Sequence, residues 1–235
     1  VRACPIALAW SGGKDSSLAL AALREDPTVK VVALVTTVTR DYDRISMHGV
    51  RRAVLEAQVT ELGLPLIEAV IPAAASNLIY EEALATALGV LRQQHPQVRQ
   101  LAFGDLFLED VRAYRERVLP SLGWMPLFPL WGRDTAALAR EFVGAGFRAV
   151  LTCVDTTQLA AEFAGREFDA VLLRELPSTV DPCGERGEFH TCVYAGPIFR
   201  QPIPIQVGDR VRRDDRFEYC DLILAGAEES ARGIA

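Results

Sequence analysis

The sequence predicts an α/β fold: a parallel sheet with helices on both faces, followed by a smaller C-terminal α/β domain. Two observations predict it. Short apolar, β-branched runs alternate with helical patterns through the first half, and strands separated by helices of this length pair in parallel through right-handed crossovers. After residue 190 the spacing shortens to strands joined by turns.

The first strand is the apolar run from Ile6 to Trp10. It ends in Ser11-Gly12-Gly13, and a helical pattern begins at once with Leu18, Leu20, Ala21 and Leu23. A buried strand therefore delivers a glycine turn to a helix N-terminus, where unpaired N–H groups and the positive dipole end attract anions. Val31–Val35 reads as a second buried strand. Val50, Ala53, Val54, Ala57 and Leu62 recur at helical spacing until Gly63 stops the helix. Leu66–Ile71 is a third strand, Leu78–Leu91 a long helix, and Leu101–Phe103 a fourth strand ending in Gly104-Asp105. Ligands in such sheets sit at the carboxyl ends of strands. The glycine loop, Thr36-Thr37 and Gly104-Asp105 all fall there.

Pro120, Pro126 and Pro129 bracket Trp124 and Trp131 and read as a connector, so a boundary is expected near 120–130, with domains 1–125 and 126–235. Asp134 or Thr135 can cap a helix to Phe142. Arg148–Val154 reads as a strand and Thr156–Phe163 as a short helix. Four short strands are expected after that: His190–Tyr194, Ile203–Val207, Val211–Tyr219 and Leu222–Leu224, with Gly-Asp and Asp-Asp turns between them.

The bulk numbers narrow the function. The chain has 235 residues, 50% of them hydrophobic, and carries a net charge of −6. That balance argues against broad nucleic-acid binding, which needs a basic face. No apolar run reaches the ~18 residues of a membrane span, and no secretory pattern opens the sequence. The five cysteines are odd in number and irregularly spaced, so a reduced, cytoplasmic setting is expected. Cys183, His190 and Cys192 lie close in sequence but lack the paired spacing of structural zinc.

Ser11-Gly-Gly-Lys-Asp-Ser16 is not the common P-loop, which needs Gly-x-x-x-x-Gly-Lys-[Ser/Thr]. Lys14 and Lys30 are the only lysines among 25 basic residues. Lysine at position 14 therefore suggests a need for a compact ammonium rather than a guanidinium. The hexapeptide resembles the pyrophosphate loop of ATP pyrophosphatases, which cleave ATP between the α and β phosphates. Asp181–Thr191 is the second informative segment, a proline- and glycine-shaped loop holding Glu185, Glu188 and His190. Such a cluster can bind ammonium, hold magnesium or move protons, or be a solvated acidic turn.

With both segments in view, the chain resembles the diphthine–ammonia ligase family. The resemblance rests on Ser11–Ser16, Met47-His-Gly49, Gly104-Asp105, Pro129-Leu-Trp131 and Gly184-Glu-Arg-Gly-Glu-Phe-His-Thr191, with Arg186 in place of a glycine of the family pattern. It implies a Rossmann-like (HUP-type) sheet and an enzyme that adenylates the carboxylate of diphthine, a modified histidine of elongation factor 2. Ammonia then displaces AMP to give the amide. By the same resemblance Ser11, Gly12, Gly13, Lys14, Asp15 and Ser16 would hold the phosphates of ATP, with Asp15 near Mg. Val35 and Thr36 would hold adenine through backbone groups, Met47 and His48 would lie over the nucleotide, and Gly104 and Asp105 would close the site. Glu185, Gly187, Glu188, His190 and Thr191 would face the acceptor and ammonia, with Glu188 and His190 deprotonating ammonium.

Other readings stay open at individual positions. Asp105 and Glu109 suit a helix N-terminus. Arg112 and Arg115 can meet a substrate carboxylate or be solvated. His48 can simply start a helix. No glutaminase segment or N-terminal cysteine is seen, so free ammonia is the expected nitrogen source. The arginine-rich composition suits a GC-rich bacterium, where the acceptor would be a small carboxylate rather than the elongation factor; a homodimer is a compatible assembly. The alternatives are a pyrophosphate-loop sulfur transferase acting on tRNA and a nucleotide-binding regulator without turnover.

Overall fold

The computed structural model describes residues 3–226. β1 (Cys4–Ala9), β2 (Val29–Thr39), β4 (Leu66–Ile71), β5 (Gln100–Ala102) and β6 (Met125–Leu127) form a parallel sheet, ordered β4-β2-β1-β5-β6. A two-residue strand, β3 (Arg44–Ile45), pairs antiparallel with the far end of β2. The order reverses at β1, whose neighbours are β2 and β5. A crevice opens at the carboxyl ends of strands where such a reversal occurs.

Alternation along β1 assigns the two faces. Ile6 and Leu8 point to one side and pack with Leu18, Leu23, Val54 and Leu55 of α1 (Lys14–Glu25) and α2 (Arg52–Leu62). Ala7 points to the other and packs with Leu84, Leu88 and Leu91 of α3 (Asn77–Gln94) and with Val118 and Leu119 of α4 (Glu109–Ser121). The layer under α1 and α2 runs on without a break into the second sheet. That sheet is antiparallel, in the order β8 (Phe189–Ala195), β7 (Arg148–Asp155), β10 (Phe217–Leu224), β9 (Ile205–Arg213). Helices α5 (Thr135–Gly144) and α6 (Ala170–Glu175) accompany it.

Three local expectations are corrected. Met125–Leu127, in the expected connector, is the edge strand β6, a position where Pro126 removes no ladder bond that the sheet needs. Thr156–Phe163 is not a helix beyond a single 3₁₀ turn at Ala161–Phe163, because the Asp155 carboxylate captures the Thr157 N–H (3.1 Å) and hydroxyl (2.7 Å). Gly208-Asp209 is not a turn: Ile205–Arg213 is one strand. It meets β10 through Asp214-Asp215, both at positive φ (53° and 49°), as a primed hairpin turn requires.

Candidate active site

The turn after β1 is held on three sides. Gly12 has φ +75°, the left-handed region open to glycine. A side chain on Gly13 would fall 2.8 Å from the His48 ring and 3.0 Å from the Thr191 carbonyl. Gly13 caps α1, and the Ser16 and Ser17 hydroxyls both donate to its carbonyl at 2.9 Å. From the second sheet, the Thr191 hydroxyl accepts the Lys14 N–H (3.0 Å), and the Val193 N–H donates to the Gly12 carbonyl (2.8 Å). Segments some 180 residues apart are thus joined by one backbone–backbone and one backbone–hydroxyl hydrogen bond at the head of one helix.

Around this junction lies a cavity of about 460 Å³. Ser11, Lys14, Asp15 and Ser16 line it from the turn, with Gly12 and Gly13 behind them. Val35 and Thr36 line it from within β2, which runs on to Thr39, so Thr36-Thr37 does not end the strand as expected; Met47 and His48 line it from the loop after β3, and Gly104 and Asp105 from just past β5. Glu185 and Gly187 close it from the loop before β8, and His190 and Thr191 from β8 itself, so the expected 181–191 loop gives way to strand from Phe189. Gly104 lies against α1 so closely that a Cβ would sit 2.8 Å from the Asp15 carbonyl carbon.

Lys14 is 2% exposed, and its Nζ lies 2.8 Å from both Asp15 oxygens. Burial is the largest influence and opposes the ammonium, but the Asp15 charge and hydrogen bond, together with Cys183 and Glu185, outweigh it and the pKa is raised. The Thr36 hydroxyl is buried without a hydrogen-bond partner among the described residues. A buried polar atom of this kind in a cavity wall suits a polar ligand. The Val35 carbonyl, by contrast, already accepts the Trp10 N–H at 2.7 Å.

Two of the expected site residues are placed elsewhere. Glu188 is buried and does not line the cavity. Its Oε1 accepts the Asp181 N–H and its Oε2 the Arg186 N–H, both at 2.9 Å, so the carboxylate shapes its own loop. Arg112 stacks on Phe128 and Trp131 and pairs with Glu116 at 2.7 Å, outside the cavity. Arg115 lines the cavity instead, lying 4.0 Å over the Phe103 ring and donating to Asp105 through Nε and Nη2.

The titrating groups divide sharply. His48 and His190, with ring centroids 4.7 Å apart, are pushed down to about 4 and about 3, chiefly by burial, and are neutral near pH 7. Glu185 moves the other way. Burial, helped by the Asp15 and Asp105 charges, lifts it to about 7 against the opposing Leu106 N–H bond of 2.8 Å. The thiols of Cys153, Cys183 and Cys192 are pushed up to about 12 by burial, which makes them poor nucleophiles. Among the described residues no three His, Cys, Asp or Glu side chains form a metal cage, and no helix is long and apolar enough to cross a membrane.

A family model for the diphthamide synthase N-terminal domain matches residues 5–126, and one for the C-terminal domain matches 134–222. The chain belongs to the diphthamide synthase family. It is 29% identical over 131 residues to a diphthine–ammonia ligase of Danio rerio, covering 53% of this chain and 51% of that protein. The chain thus spans about half the length of that curated relative. A solved FMN adenylyltransferase of Candida glabrata, bound to FAD and pyrophosphate, aligns with a TM-score of 0.37 at 18% identity, over 60% of this chain and 48% of that one.

This diphthamide synthase family member has one structural residue at the site that the sequence reading missed. Gln58 is fully buried on the apolar face of α2. Its Nε2 donates to the carbonyls of Gly12 (3.0 Å) and Val193 (2.6 Å), and its Oε1 accepts the Trp10 indole N–H (3.2 Å). The available signal was a polar residue interrupting the Val54-Leu55-Leu62 stripe. Gln58→Leu strands these partners without water, at roughly 1–3 kcal/mol. Thermal unfolding of the variant is expected several degrees below the parent; an unchanged melting temperature would contradict the clamp.

Proposed function

We propose that this protein is an ATP-dependent ligase that adenylates a carboxylate and passes the acyl group to ammonia, releasing AMP and pyrophosphate. The observation that carries the reading is the junction itself: the Ser11–Ser16 turn and the 184–191 segment, a loop running into β8, face one cavity across the N-terminus of α1. The family, and the ligase named for the relative, support the choice of reaction.

In the first step a carboxylate oxygen attacks the α-phosphorus of ATP. The bond from Pα to the bridging oxygen breaks, and pyrophosphate leaves. The α1 N-terminus and Lys14 oppose the charge that gathers on it. In the second step ammonia attacks the acyl carbon, AMP departs with the former carboxylate oxygen, and one proton is released. In this reading Glu185, rather than Glu188 or His190, takes the proton; its position in the cavity wall and a carboxyl that titrates near neutrality support the assignment. Magnesium at nucleotides uses one or two protein carboxylates together with phosphate oxygens. Asp15 supplies a carboxylate to the cavity and would hold the ion, which neutralises phosphate charge when bound.

The acceptor is a protein-borne diphthine or another carboxylate, and the first measurement does not depend on which. With ATP, magnesium, ammonium and a panel of carboxylic acids, phosphorus NMR is expected to show AMP and pyrophosphate as the products. ADP and phosphate as the main products would overturn the reading.

A further inference from the structure

A second cavity, of about 620 Å³, shares Ile45, Ser46 and Met47 with the first. From this we propose that it receives the body of the carboxylic acid whose carboxylate is activated in the first cavity, and that this body is apolar or aromatic. The proposal rests on the ligase reading above.

The shared wall reaches the phosphate turn. His48, next to Met47, holds the Thr191 carbonyl through Nδ1 (3.1 Å) and lies against Gly13. An acyl group leaving the turn therefore meets Met47 within one residue. Met47 holds φ +66°, a conformation that costs a non-glycine residue energy, and its side chain is 66% exposed. On the far side the next loop residue, Gly49, lies so close to the Tyr219 ring that a Cβ would fall 2.6 Å from it. The loop is thus packed between the nucleotide cavity and β10.

The chemistry of the second cavity selects its occupant. Tyr42, Val211 and Tyr219 give it apolar and aromatic walls, and Tyr42 and Val211 are half exposed within it. Its charges nearly cancel. Asp221 is paired by Arg44 (2.8 Å) and Arg51 (2.5 Å); Asp209, Asp214 and Arg213 also line the cavity, and Arg213 lies over the Tyr42 ring at 5.1 Å. A polyphosphate or nucleic acid would find no net positive field here, whereas an aromatic or aliphatic body would cover exposed apolar surface.

The test uses two stable probes. 5′-O-sulfamoyladenosine should occupy the first cavity alone, and its N-(3-phenylpropanoyl) derivative mimics an acyl-adenylate with an aromatic body. By calorimetry the acyl extension is expected to tighten binding at least about tenfold, the yield of burying one aromatic group. Val211→Trp, filling the second cavity from an exposed position on β9, should abolish that gain and leave sulfamoyladenosine affinity unchanged. Tyr42→Ala, also exposed, should lose part of the gain and guards against misfolding of the first variant. If sulfamoyladenosine binds but the extension adds nothing, or if both variants keep the full gain, this proposal fails and the nucleotide reading stands. If sulfamoyladenosine itself does not bind, both fail.

Discussion

Lys14→Ala is expected to lower ATP turnover by about 10²–10³, the cost of losing one preorganised donor to charge that develops in a transition state. Its melting temperature should stay within a few degrees of the parent. The two expectations have one structural cause. Lys14 is almost fully buried, yet its partner Asp15 keeps a side chain 31% exposed toward the cavity. Removing the ammonium therefore leaves a carboxylate that water can reach, not one stranded in the core. The side chain has no comparable role in packing, beyond lying 5.7 Å over the Phe189 ring. Lys14→Arg should not restore the rate, because a planar guanidinium cannot take the position of a compact ammonium in so small a space. Steady-state kinetics with AMP detection, beside a thermal melt, measures both. Turnover in Lys14→Ala equal to the parent would remove Lys14 from the chemistry.

The parts of this site that were legible in the sequence are those encoded locally. An apolar strand, two glycines and a helical pattern place Ser11–Ser16 at a helix N-terminus in any parallel sheet, and the loop after β5 falls beside it by topology alone. What was not legible depends on partners distant in sequence. Glu188 and Glu185 sit three residues apart with the same side chain, yet one turns inward to bond Asp181 and Arg186 while the other faces the cavity. Only the path of the loop, set by Gly184 and Gly187 at positive φ, separates them. Arg112 and Arg115 on α4 divide in the same way, one onto the Phe128 and Trp131 rings and one onto Asp105. The role of Gln58 needs the turn after β1, α2 and β8 all in place before its two carbonyl partners exist. The long β9–β10 hairpin was missed because Gly208-Asp209 carries turn composition at a register shift inside a strand, where the flanking pairs Val207–Leu222 and Arg210–Cys220 carry the ladder past it.

Glu185→Gln is expected to lower amide formation by about 10²–10⁴, the range for loss of a general base, while ATP binds with parental affinity. The parent should carry a matching pH signature. A carboxyl lifted to about 7 is protonated below that pH and cannot accept a proton from the attacking amine. At a fixed concentration of free ammonia, the amide-forming rate should therefore rise through pH 7 and level off above it. Glu185→Gln should lose that rise. Stability gives an independent reading with the sign reversed. Because the folded pKa is raised above the ordinary carboxylate value of 4.5, the unfolded chain binds fewer protons than the folded one between about 4.5 and 7, so this group's contribution to stability falls as pH rises through that window. Glutamine has no charge to desolvate and keeps an amide oxygen for the Leu106 N–H. The variant should then be at least as stable as the parent at pH 8, and its advantage should shrink toward pH 4. A catalytic carboxylate held at an energetic cost shows both effects together: lost amide synthesis and retained or increased stability. If Glu185→Gln forms amide at the parental rate, ammonia is deprotonated elsewhere; if it loses activity only because it unfolds, the group is structural, and the assignment of Glu185 as the base is wrong.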